Sequence, residues 1–265
     1  MTRSPVAAVA GALGFLSRVP VAHSDARWDA FRRTPAAIPT AGYPIGALLA
    51  LPIAAVALAP GGIGAAVPTE TVAVVFVAWL YALTGITHLD GVADLGDAAV
   101  VHGDADRRRE VLKDSSLGVG GALALALVVL GLAAAAALVA DLARFAPIAA
   151  VALVIGTEVA AKAATATLVC VGEAPHEGLG SALTAESGPR SLLGVGIVAA
   201  PVALVGWPAL APGIAVLVAA ALVAAAALWW ARSRLGGVSG DVLGATNEIA
   251  RVVGLHVGVI AWTLS

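Results

Sequence analysis

Apolar positions fall into seven long runs, residues 41–60, 72–87, 118–140, 147–171, 192–207, 213–231 and 249–264, separated by more polar stretches. A transmembrane helix needs about 20 mainly apolar residues to cross roughly 30 Å of hydrocarbon, and these runs approach or reach that length. They lack the alternating pattern of a membrane β-barrel, and in lipid a segment must satisfy its own backbone groups. The pattern predicts an all-α fold, a polytopic integral membrane helical bundle of about seven transmembrane helices, with residues 1–265 as one integral membrane domain. Prolines interrupt the first and fifth runs, and the second and last are short. Ahead of them, Arg3 is followed by an apolar stretch over residues 6–16 with the outline of a signal peptide. Arg18, Arg27, Arg32 and Arg33 stand where a small-residue cleavage site would be needed, so we expect a retained, short interfacial or half-inserted helix.

Composition sharpens this picture. The chain is 60% hydrophobic and only 12% charged, against roughly 25% charged in a typical soluble domain. High hydrophobicity and a net charge of −2 exclude a disordered chain. They also leave no basic footprint for nucleic acid, so the expected surroundings are membrane lipid. Cys170, the single cysteine, allows no intrachain disulfide and reads as packing. Across seven spans, thirteen Lys and Arg residues fall on the N-terminal side and one, Arg144, on the other. By the positive-inside rule that side is cytoplasmic, which predicts a multi-pass protein of the cell membrane with its polar loops in the cytoplasm.

Those loops hold the candidate chemistry. In His88-Leu-Asp-Gly-Val-Ala-Asp-Leu-Gly-Asp97, the aspartates at 90, 94 and 97 share one face of a helix. Their mutual repulsion invites a divalent cation, and Mg²⁺ is commonly held by one or two carboxylates plus substrate phosphates; a solvated acidic loop is the plainer alternative. A second segment, from Arg107 to Gly121, sets Lys113-Asp114-Ser115 before a glycine-rich turn. It can cradle phosphate oxygens, or its arginines can simply anchor the third span. A third, Gly236-Gly-Val-Ser-Gly-Asp-Val-Leu-Gly-Ala-Thr-Asn-Glu248, is either a phosphate-friendly turn or a helix start capped by Asp241. Glu158 and Lys162 lie four residues apart inside the fourth run, as a functional intramembrane pair or a mutually neutralising structural one. The five histidines show no zinc-site spacing.

Taken together, Phe15-Leu-Ser-Arg-Val-Pro-Val21, Tyr43-Pro-Ile-Gly46, His88-Leu-Asp-Gly-Val-Ala-Asp94 with Asp97, Lys113-Asp-Ser115, Glu177-Gly-Leu-Gly180 and the segment from Gly236 to Ala245 with Glu248 resemble, in order, the motifs of the cobalamin synthase family, adenosylcobinamide-GDP ribazoletransferase. The resemblance spans nearly the whole chain. It implies a Mg²⁺-dependent membrane transferase that joins adenosylcobinamide-GDP to α-ribazole, or to α-ribazole 5'-phosphate, and releases GMP. On that basis Asp90, Asp94, Asp97 and Asp241 are expected to hold Mg²⁺. Arg18, Lys113, Ser115 and Ser239 are expected to contact phosphate, and His88, Asp114 or Glu248 to take the nucleophile's proton. The chain departs from the family pattern at Ile86 or Thr87, where a glycine is common, at Ser116, where an arginine is common, at Glu158, near which the family has an arginine, and at Arg251, where it has an acid. The competing readings are a membrane phosphotransferase of the CDP-alcohol type, which does not account for the Gly236 to Ala245 motif, and a transporter, which would spread its acids along a midplane path. A homo-oligomer is compatible with the sequence.

Overall fold

The computed structural model describes residues 4–59 and 62–265. Arg3 and the last residue of the first expected span lie outside them. The described residues form helices and no strands: α1 Pro5–Leu16, α2 Asp25–Arg32, α3 Ala37–Leu49, α4 Leu51–Ala57, α5 Ile63–Ala66, α6 Thr69–Thr84, α7 Thr87–Val100, α8 Ala105–Val111, α9 Val119–Ala143, α10 Pro147–Val171, α11 Leu179–Thr184, α12 Leu192–Ala199, α13 Ala211–Arg234 and α14 Gly240–Thr263. The helical membrane class is as expected, and the count of about seven spans is not confirmed. Among the described residues, four helices are long and apolar enough to cross a membrane: α3 and α4 taken together, α9, α10 and α13. A fifth is reached only by joining α6 to α7.

The differences have local causes. Residues 192–207 make only the eight-residue α12, followed by a 3₁₀ turn over Ala200–Leu204 that contains Pro201. A proline in this position cannot continue the α-helical ladder. Residues 249–264 are the apolar end of a longer helix, α14, which starts at its Ser239 cap and carries Asp241, Glu248 and Arg251. Arg251, counted in the sequence as a loop cation, is 2% exposed inside the bundle. By contrast the fourth expected run coincides with α10, which Pro147 opens and Gly172 ends.

Helix α10 is the axis of the bundle, packed against α3, α13 and α14. Buried positions make up 72% of its apolar window, against 22% for α9 and 28% for α13. The two most exposed spans are thus the lipid-facing ones, where apolar side chains need no protein partner. At Gly85, whose φ of +77° favours glycine, the chain turns through 101° from α6 into α7. Helix α7 carries His88 and three aspartates in 14 residues; charges of that density are costly in hydrocarbon, and we read α7 as lying across one end of the bundle.

There α7 crosses the first turns of α14 with almost no gap. A Cβ on Gly91 would stand 2.7 Å from the Asp241 carbonyl oxygen and 2.9 Å from its Cα, and one on Gly244 would stand 3.1 Å from the His88 Cα. Gly91→Val is expected to force the crossing apart and to lower the apparent melting temperature of detergent-held protein, with a cost of about 1–3 kcal/mol. Gly196 sits in α12 with open space at its Cβ position, and Gly196→Ala is expected to leave melting unchanged or raised by up to about 1 kcal/mol.

Candidate active site

A cavity of about 320 Å³ opens at this crossing, walled by α7 and the start of α14, with α10, α11 and the N-terminal helices closing the other sides. His88, Asp90, Ser239 and Asp241 all line it. The motifs that start at His88 and Gly236, 148 residues apart in the chain, therefore meet on the walls of one cavity. A larger groove of about 590 Å³ lies among α7, α9, α13 and α14, but no ionisable side chain lines it, so the polar cavity is the candidate site.

The acidic residues separate by use. Asp90 and Asp241 line the cavity, and Asp94 is close enough to both to feel their charge. Burial, reinforced by Asp241, Asp90 and Asp97, pushes the Asp94 carboxyl up to about 6. Among the described residues no Lys or Arg pairs with Asp90, Asp94 or Asp241. Asp97 is engaged elsewhere: its two oxygens accept from the Gly118 and Gly121 amides, each at 2.8 Å. It thereby caps the N-terminus of α9, engaging two amides of the glycine-rich turn.

Between the ordinary Asp94 value of 3.8 and about 6 the folded state holds a proton that the unfolded state has lost, so stability falls as pH rises through that window. In chelator, Asp94→Asn is expected to raise the melting temperature. That gain should grow with pH up to about 6 and level off above it; a gain confined to acid pH would contradict the crowding.

Do these residues suit Mg²⁺? Uncompensated carboxylates at a polar cavity supply the hard oxygen donors it prefers, yet among the described residues no three His, Cys, Asp or Glu side chains are gathered as a ready metal cage. That suits an ion held by one or two carboxylates and completed by water and substrate phosphate.

Of the three candidate bases, the structure distinguishes one by placement. Asp114 is exposed, does not line the cavity, and accepts from the Ser116 amide at 3.0 Å, a bond that holds its carboxyl below the ordinary range. Glu248 is fully buried, with Arg251 Nη1 on its Oε1 at 2.5 Å. His88 forms part of the cavity wall, and burial pushes its imidazole pKa down, an effect the neighbouring Glu248 only partly offsets. Of the three, it alone stands on the cavity wall.

The phosphate candidates divide as well. Arg18 lies against Gly85, beside the cavity-lining Thr84. Ser239 lines the cavity, but its hydroxyl caps α14, accepting from the Val242 amide at 3.4 Å and donating to Asp241 Oδ2 at 3.1 Å. Lys113 and Ser115 are exposed in the loop between α8 and α9 and are not among the cavity-lining residues.

Sequence reasoning missed two residues beside the site. Arg251 joins Glu248 to Glu158, with Nε 2.8 Å from Glu158 Oε2, and Tyr81 donates to Glu248 Oε2 at 3.3 Å. The available signal was the Glu248/Arg251 spacing of three together with a Glu158/Lys162 pair in need of company. Glu158 and Arg251, two of the positions at which the resemblance led us to expect other residues, are thus each other's partners.

This architecture defines a polytopic helical membrane protein with a polar, carboxylate-bearing cavity at one end. The cobalamin-5-phosphate synthase family model matches residues 8–259, and the chain belongs to that family. It is 57% identical to an adenosylcobinamide-GDP ribazoletransferase of Halorubrum lacusprofundi, over 97% of this chain and 98% of that one. A protein of the same description from Haloquadratum walsbyi is 45% identical over 98% and 99%, and one from Methanocella arvoryzae 34% identical over 95% of each. No solved structure matches the chain at a significant level.

Proposed function

We propose that the chain is an adenosylcobinamide-GDP ribazoletransferase, joining the corrinoid phosphoryl group of adenosylcobinamide-GDP to α-ribazole or α-ribazole 5'-phosphate. The observation that carries this reading is the meeting of the His88–Asp94 and Gly236–Ala245 motifs on the walls of one cavity, in a chain matched by the family nearly end to end. A ribazole hydroxyl attacks the corrinoid-linked phosphorus, a new P–O bond forms, the bond to GMP breaks, and the hydroxyl proton passes to His88. Most of the barrier is lowered by positioning and by electrostatic stabilisation of the phosphoryl oxygens. Asp90 and Asp241, which line the cavity, would hold Mg²⁺ with water and substrate phosphate completing its shell, Asp94 lying beside them, and the ion when bound would supply charge neutralisation at those oxygens. Arg18 at the rim offers a cation to the diphosphate.

The cavity end faces the cytoplasm of the cell membrane in this reading, supported by the arginines gathered at that end, Arg18 against Gly85, Arg109 on the Leu235 carbonyl and Arg232 on the Val171 carbonyl, and by the location of nucleotide substrates. The Glu158/Lys162 pair, which would suit a transporter, is absorbed into a buried, mutually paired set with Arg251 and Glu248. The test is a product assay on detergent- or liposome-held protein with adenosylcobinamide-GDP, each ribazole form and Mg²⁺. GMP and the joined corrinoid should appear together and stop on chelation. Folded protein that yields neither product with either acceptor would overturn the proposal.

A further inference from the structure

We propose that Glu248, held by Arg251 and Tyr81, is a positioning residue for His88: it fixes the imidazole so that Nδ1 carries the proton and the other ring nitrogen is left for the substrate. This deepens the reading of His88 as the proton acceptor and rests on it. His88 Nδ1 lies 3.4 Å from Glu248 Oε1, a distance that can tighten when substrate closes the site. Glu248 itself has little freedom. Arg251 Nη1 holds Oε1 at 2.5 Å and the Tyr81 hydroxyl donates to Oε2 at 3.3 Å. Arg251 is fixed from its other side, with Nε and Nη2 at 2.8 and 3.3 Å from the two Glu158 oxygens, and Lys162 Nζ is 2.9 Å from Glu158 Oε1.

Glu158, Lys162, Glu248 and Arg251 are each at most 2% exposed, two acids against two bases. Burying such a set is expensive in desolvation, and well-packed apolar residues often serve stability as well or better. What the charges supply is geometry. Among the described cavity-lining residues, His88 is the one the set is paired with, so the rigidity is delivered to the ring at the cavity wall. The logic is that of a base oriented by a third group.

The test uses the full-length protein in detergent and the double variant Glu248→Leu/Arg251→Met, which removes one acid and one base and leaves Glu158 and Lys162 paired. With histidine-labelled protein, ¹⁵N NMR reads the His88 tautomer, the His88 signals being identified by their loss in His88→Gln. Wild type is expected to show the Nδ1–H form and the double variant the Nε2–H form that dominates for free imidazole. Its kcat is expected to fall about 100-fold with KM for both substrates within about threefold. In the His88→Gln background the same double substitution should cost no more than about twofold, because groups acting as a unit are not additive.

Retention of the Nδ1–H tautomer, or a full additional loss in the His88→Gln background, would overturn the positioning role. Wild-type turnover in His88→Gln would instead remove the proton-acceptor reading, while the tautomer measurement still reports on Glu248. If the double variant does not fold, Tyr81→Phe removes a single hydroxyl from Glu248. It is expected to lower kcat about three- to tenfold in the wild-type background and not at all with His88→Gln; equal losses in both would sink the proposal.

Discussion

Glu158→Ala is expected to deplete folded protein from the membrane and to lower the melting temperature of what remains more than any other single change considered. The side chain sits between Lys162 at 2.9 Å and Arg251 at 2.8 Å, all three at most 2% exposed. Removing it leaves two buried cations with Glu248 alone. Breaking a buried ion pair from one side costs about 3–5 kcal/mol, a large share of the roughly 5–15 kcal/mol that holds a typical protein folded. The double variant Glu158→Ala/Lys162→Met removes one charge of each sign and is expected to recover much of the loss. The measurement is fluorescence-detected size exclusion after graded heating. A single variant that melts with wild type would mean that water or a shifted proton already screens these charges.

The membrane class was legible from one-dimensional pattern because lipid imposes it: each long helix must be apolar along its whole length unless it has protein partners. For α10 even the ends could be read, since Pro147 and Gly172 punctuate it. The pattern failed where burial replaced apolarity. Helix α14 takes part in the core while carrying Asp241, Glu248 and Arg251, and no window of hydropathy can see that α10 supplies the compensating Glu158. The cavity was half legible. Its motifs were visible as separate segments, but their meeting depends on Gly91 and Gly244 letting α7 and α14 touch, a relation between distant positions.

The three aspartates of α7 show the same limit, and they separate into different expected phenotypes. Spacing alone makes Asp90, Asp94 and Asp97 equivalent, one face of one helix. In the fold Asp90 joins Asp241 at the cavity, whereas both oxygens of Asp97 are taken by the Gly118 and Gly121 amides. Asp90→Asn and Asp241→Asn are therefore expected to keep the melting temperature or, in chelator, to raise it by relieving the crowding of Asp94, and to lower kcat by about 100- to 1000-fold, the scale of losing one preorganised electrostatic contact to a developing charge. Asp97→Asn keeps one acceptor oxygen and loses the other, so it should cost about 1 kcal/mol of stability, as loss of a helix cap does, with turnover within a few-fold of wild type. The comparison needs only GMP release and a melting curve for each variant. If Asp97→Asn melted normally and lost turnover with the other two, Asp97 would belong to the phosphate-binding machinery and the α9 cap would be incidental.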